Sequence, residues 1–267
     1  MIGDKLLYIE HFFIESIPII YVNSGMSMCK NSKNKLIFLF HKLLLNKSDE
    51  LPLAYLLAMA GYSVVLIDIR GHGERNESFE ENSKYNFNFL FKDLYKTAED
   101  IEKVIIYLEK RYSDVLDFDN ITSIGVSIGA NVAWISGYLF SKIKKVVSII
   151  GGLDWKESVL NGSFQIFRHF SYNENVIDYD LVKDDLENYH PITRYKDMEK
   201  LPQCLLLNGK LDLTIPIDTV IRNYNSMLEI YNNKNQEKDI LLYQYGAVGH
   251  MVNYRMMNDL IMWLHSN

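Results

Sequence analysis

Apolar residues along this chain fall into short continuous runs separated by stretches of helical spacing. Lys35–Phe40 (KLIFLF), Tyr62–Ile69 (YSVVLIDI), Ile121–Val126, Lys145–Ile150 (KVVSII) and Gln203–Leu207 are apolar at successive positions, the mark of strands covered on both faces. Asp239–Tyr245 supplies a further strand. Between them lie helical repeats. Leu53, Leu56, Leu57 and Ala60 recur behind Pro52, which suits a first turn, and Gly61 can close that helix. Leu94, Ala98, Ile101, Val104, Ile105 and Leu108 mark one face of a long helix. Further helices are predicted after Ser127, from Pro216 to about Tyr231, and over Asn253–His265. Near the start, Lys5–Asn23 alternates partially and reads as an antiparallel strand pair. Strand–helix–strand repetition of this kind predicts an α/β fold, with a mostly parallel twisted sheet and helices on both faces.

One stretch breaks the rhythm. Between Ile150 and Gln203 no clean strand appears, and short amphipathic pieces carry Trp155, Phe164, Phe167, Phe170 and Tyr172. Residues 154–190 are expected to form a short helical lid over the carboxyl edge of the sheet, inserted into a single domain spanning 1–267. An aromatic insertion of that length is either functional or disordered, and its composition favours an ordered element.

Composition narrows the partners. The chain has 267 residues, 48% of them hydrophobic, enough for a sizeable core. A formal net charge of −6 argues against nucleic acid and anionic membranes, both of which reward a basic surface. Lys142, Lys144 and Lys145 read as solvated strand flanks. Two cysteines, Cys29 and Cys204, give no disulfide framework and point to a reduced, cytoplasmic setting. Charged residues interrupt Met1–Ile20, and no apolar run approaches the roughly 20 residues a membrane helix needs.

The chemistry gathers at Gly125-Val126-Ser127-Ile128-Gly129-Ala130, after a strand and before a helix. This is the G-x-S-x-G pattern: a serine on a tight strand-to-helix turn, with glycines that let strand and helix approach. A serine hydroxyl is a poor nucleophile until a base removes its proton. Of the downstream histidines, His169, His190, His250 and His265, His250 fits best, because it follows the last strand through Gly246-Ala247-Val248-Gly249 and precedes the final helix. Asp212, in the loop between Leu207 and Pro216, is placed to orient that imidazole; Asp218 and Asp154 compete for the role.

These motifs together resemble the α/β-hydrolase superfamily, in its esterase and prolyl-oligopeptidase-like or dienelactone-hydrolase-like branch. The resemblance runs from about Lys35 to the C-terminus, through Asp68-Ile69-Arg70-Gly71-His72-Gly73, the elbow at Ser127, Gly209-Lys210-Leu211-Asp212-Leu213-Thr214-Ile215-Pro216 and Gly249-His250. It implies an α/β-hydrolase fold, an oxyanion hole made by the Ile128 and Leu43 amides, a bracing role for His41, and structural roles for Arg70 and His72. One position departs from the pattern. Lys42 stands where the family's His-Gly-x has glycine, in His41-Lys42-Leu43. Either the loop keeps ordinary dihedrals with Lys42 toward solvent, or the hole is distorted, or the ammonium meets an acidic group of the substrate.

The function expected is that of a serine carboxylesterase-like hydrolase, cleaving an ester or thioester of a small-molecule acyl substrate through an acyl-enzyme. Phe164 and Phe167 would line the acyl pocket, and neither metal nor organic cofactor is needed. Peptidase or amidase action, acyl transfer, and a non-catalytic binding protein on the same scaffold are the alternatives.

Overall fold

The computed structural model describes residues 7–24, 33–76, 87–153 and 177–266. Eight strands form one sheet in the order β1-β2-β4-β3-β5-β6-β7-β8. They are β1 (Tyr8–Ile14), β2 (Ile17–Asn23), β3 (Asn34–Phe40), β4 (Ser63–Ile67), β5 (Leu116–Val126), β6 (Ile143–Ile149), β7 (Gln203–Gly209) and β8 (Ile240–Tyr245). β1 pairs antiparallel with β2 and β2 antiparallel with β4, while β4, β3, β5, β6, β7 and β8 run parallel.

The parallel strands are apolar throughout because both of their faces are covered. Along β3, Leu36, Phe38 and Phe40 enter one core and Ile37 and Leu39 the other. The first core is closed by α2 (Leu90–Tyr112), α3 (Gly129–Leu139) and α6 (Ile217–Asn232), through residues such as Leu94, Ile101, Trp134 and Met227. The second is closed by α1 (Leu51–Met59) and α7 (Tyr254–Ser266), through Leu57, Leu260 and Leu264. A mostly parallel sheet sandwiched this way is an α/β architecture, and its strand order, with β2 antiparallel, is that of an α/β-hydrolase fold.

The elements follow the predicted pattern, with local differences. β5 begins at Leu116 rather than Ile121: its polar start pairs with Asn34 and Lys35, and a register shift separates it from the buried remainder. Residues 177–190 of the expected insertion supply α4 (Tyr179–Asn188), which lies against α2 with Tyr189 stacked on Tyr95 at 4.1 Å. A further helix, α5 (Pro191–Asp197), carries the fully buried Tyr195. The rest of the insertion, including Phe164 and Phe167, lies outside the described residues.

Lys145 departs from its expected place as a solvated flank. It is only 8% exposed, with its ammonium 6.0 Å from the Trp263 ring. It pairs with Thr122 of β5 and Gln203 of β7 near the start of the ladder, where Trp263 of α7 lies against it, and desolvation, aided by Lys35, pulls its amine down to about 8. Cys204 is a buried free thiol against Tyr231, with its pKa pushed up by burial. None of the described helices is long and apolar enough to cross a membrane.

Candidate active site

Three loops at the carboxyl ends of the parallel strands converge. The first is the turn from β5 into α3. Ser127 sits there at φ +54, a left-handed conformation that costs a non-glycine residue about 1–3 kcal/mol. The surroundings impose it. The Ser127 amide donates to Ile149 O (2.8 Å), and its carbonyl accepts from Ala130 N (3.1 Å) as α3 begins. A Cβ on Gly125 would meet Gly129 O at 2.0 Å, and one on Gly129 would meet Phe40 O at 2.5 Å and His41 O at 2.6 Å. Only glycine fits either place. The second contact also presses the start of α3 against the loop after β3.

The other two loops follow β7 and β8. They are joined through the backbone: Lys210 N donates to Tyr245 O (2.9 Å) and Leu211 N to Val248 O (2.9 Å). Asp212 is buried, and its Oδ1 accepts from the Thr214 and Ile215 amides at 2.9 Å each. Its Oδ2 lies 2.8 Å from His250 Nδ1. His250 Nε2 in turn lies 2.9 Å from Ser127 Oγ. With Nδ1–H donating to the carboxylate, Nε2 faces the hydroxyl as an acceptor, the tautomer a general base requires.

The competing acids and histidines are elsewhere or undescribed. Asp218 is exposed in the first turn of α6. His190 caps α5, and His265 Nε2 lies 3.3 Å from Ala60 O, behind α1. Asp154 and His169 lie outside the described residues, as does Cys29.

The loop after β3 supplies the remaining polar surface. His41 is fully buried; its Nδ1–H donates to Lys42 O (2.7 Å) and its Nε2 accepts from Ile69 N (2.9 Å). Burial pulls its pKa down to about 4, so the ring is neutral. Among the described residues, neither the Leu43 nor the Ile128 amide donates to a protein acceptor. Ile128 N–H is one of the orphan donors at the start of α3.

Lys42 Nζ stands 3.0 Å from Glu50 Oε1 in the same loop, an ion pair within the protein. Leu44, not residue 42, adopts the positive φ, at +58. The sequence also gave no sign of Lys47. It is 2% exposed and paired with the buried Asp68 (2.7 Å) and with Glu74 (2.6 Å). Only tertiary structure brings residue 47 beneath the segment after β4. In that segment Arg70 makes two hydrogen bonds to Asp100, at 2.9 and 3.0 Å, and His72 Nδ1 lies 3.1 Å from Arg70 O. Both side chains shape the loop and make no contact with Ser127 or His250.

Fold and site together define a serine hydrolase of the α/β-hydrolase class. The prolyl oligopeptidase family profile matches residues 52–263, and the chain belongs to that family. No curated protein sequence matches it. Among solved structures it is similar to the Thermus thermophilus protein TT1662, at 18% identity and TM-score 0.72, over 97% of both chains. It is similar to the acylaminoacyl peptidase of Pyrococcus horikoshii, at 18% identity and TM-score 0.72, over 98% of this chain but 42% of the peptidase. It is also similar to an acetyl xylan esterase from Paenibacillus sp. R4, at 15% identity and TM-score 0.65, over 97% of this chain and 88% of the esterase.

Proposed function

We propose that the protein hydrolyses a carboxylic ester of a small-molecule acyl substrate through an acyl-enzyme on Ser127. The observation that carries this is the unbroken contact from Ser127 Oγ to His250 Nε2 (2.9 Å) and from His250 Nδ1 to Asp212 Oδ2 (2.8 Å). His250 takes the Ser127 proton as Oγ attacks the acyl carbon, and Asp212 stabilises the resulting imidazolium. The negative oxygen of the tetrahedral intermediate takes hydrogen bonds from the Ile128 and Leu43 amides, donors worth a few kcal/mol each in such sites. His250 then gives its proton to the departing alkoxide. In the second half it takes a proton from water, whose oxygen attacks the acyl-enzyme, and returns that proton to Ser127. No step calls on a metal or organic cofactor.

Similarity to an acetyl xylan esterase over most of both chains supports the ester reading. The prolyl oligopeptidase family match and the acylaminoacyl peptidase neighbour favour amide cleavage as the second reading. A cytoplasmic setting is part of the proposal, supported by the free thiol of Cys204. The test compares kcat/KM on p-nitrophenyl esters of increasing chain length, matched thioesters and aminoacyl p-nitroanilides. Esters turning over well above anilides is the expected result, and the reverse order assigns the protein to the peptidases.

A further inference from the structure

The loop His41–Glu50 is closed without the glycine that its turn would ordinarily use. Leu45 N donates to Lys42 O (3.3 Å), forming a turn in which Leu44 occupies the third position at φ +58. Glycine is the usual residue there, because left-handed φ is strained for a branched side chain. The loop must therefore be held by something else. Lys42 is engaged at two points: its carbonyl accepts from His41 Nδ1 (2.7 Å), and its ammonium forms an ion pair with Glu50 (3.0 Å) at the root of α1. The Glu50 side chain is 5% exposed and that of Lys42 32%. A carboxylate so deeply placed is tolerated when paired and costly when left alone. Burial pushes the Glu50 carboxyl up, and the Lys42 ammonium draws it back.

The consequence lies in one peptide plane. The carbonyl of Lys42 and the N–H of Leu43 belong to the same planar trans unit and point in opposite directions. Fixing the carbonyl of residue 42 therefore fixes the direction of the Leu43 N–H, and the ion pair with Glu50 limits how far residue 42 can shift. We infer that Lys42 and Glu50 form a positioning pair that aims the Leu43 amide at the oxyanion, in place of the glycine turn this loop lacks. The inference rests on the reading of Ser127 as nucleophile and of the Leu43 amide as an oxyanion donor. Neither side chain touches substrate in this account. Both act through the backbone, and the effect is confined to the transition state, where the oxygen is negative.

The experiment measures kcat and KM for a p-nitrophenyl ester in the wild type, Lys42→Met, Glu50→Gln, the double variant and Lys42→Arg. Lys103→Met, which breaks an exposed pair with Glu15 remote from the site, is the control. Each single variant should lose on the order of 10²-fold in kcat with KM within about twofold. The double variant should lose no more than the worse single, because the pair acts as a unit, and Lys42→Arg should recover most of the rate. Phosphonate labelling should still reach one per chain in every variant. Glu50→Gln, nearly isosteric, gives the same reading should Lys42→Met fail to fold. Unchanged kcat in a folded single variant, additive losses, or a loss carried by KM would overturn the inference while leaving the nucleophile assignment intact. A wild type that takes up no phosphonate would remove both.

Discussion

Gly209, the last residue of β7, lies so close to Val248 that a Cβ at 209 would stand 2.2 Å from the Val248 carbonyl oxygen. That approach locks the loop of Asp212 to the loop of His250. A methyl group there meets backbone, which cannot rotate away. Gly209→Ala should destabilise the fold by about 1–3 kcal/mol and lower esterase activity further than the stability loss explains. Urea denaturation followed by assays at a permissive temperature measures both. A fully active variant of unchanged stability would show that the two loops adjust independently.

Asp212 uses both carboxylate oxygens, one on His250 and one on the Thr214 and Ile215 amides. Asp212→Asn should lower kcat on the order of 10⁴-fold, since the amide can present a donor to Nδ1 and favour the wrong tautomer. Asp218→Asn, at an exposed position in α6, should stay near wild type. Steady-state kinetics on one chromogenic ester decides between the two, and comparable losses would reopen the choice of acid.

His41 gives the fold a pH dependence. Burial holds its ring neutral down to about pH 4, whereas an unfolded imidazole binds a proton near 6.5. The unfolded state therefore holds more protons between those values, and stability falls as pH drops through that window, by on the order of 3 kcal/mol for this group. Burial lowers the His72 pKa as well, which adds to the same slope. Urea midpoints at pH 7.5 and pH 5 should separate for the wild type, and the separation should narrow in His41→Gln. An identical acid shift in that variant would assign the dependence to other groups.

Lys145 keeps a charge beneath Trp263 with no carboxylate partner among the described residues. Lys145→Met removes the desolvated charge and keeps most of the apolar stem. It should stabilise the protein by on the order of 1 kcal/mol at pH 7, seen as a higher Tm. The neighbouring Lys144→Met should leave Tm unchanged, and a lower Tm for Lys145→Met would mean that the ring supports the cation.

The parts of this structure legible from sequence are those whose cause is local. Continuous apolar runs marked β3, β4, β6 and β7 because strands covered on both faces need nothing else. The glycines around Ser127 marked the elbow because backbone crowding there excludes any side chain. What escaped reading depends on the whole fold. Residue 145 reads as a surface lysine until α7 lies across it, and Lys47 becomes a buried cation only when the segment after β4 folds over it. The pairing of Lys42 with Glu50 joins residues of ordinary surface type, and the strain at Leu44 has no signature in a leucine. Asp212 and His250 were placed by their loops, but their contact needed the two strands to be neighbours.

The central claim is that the hydroxyl at 127 is nucleophilic because the imidazole at 250 takes its proton. Treating the folded protein with a fluorophosphonate and mapping the adduct by peptide mass spectrometry tests this most directly. The account predicts a single adduct, on Ser127, whose formation collapses in His250→Ala. An adduct on another residue, or undiminished labelling of Ser127 in that variant, would contradict it.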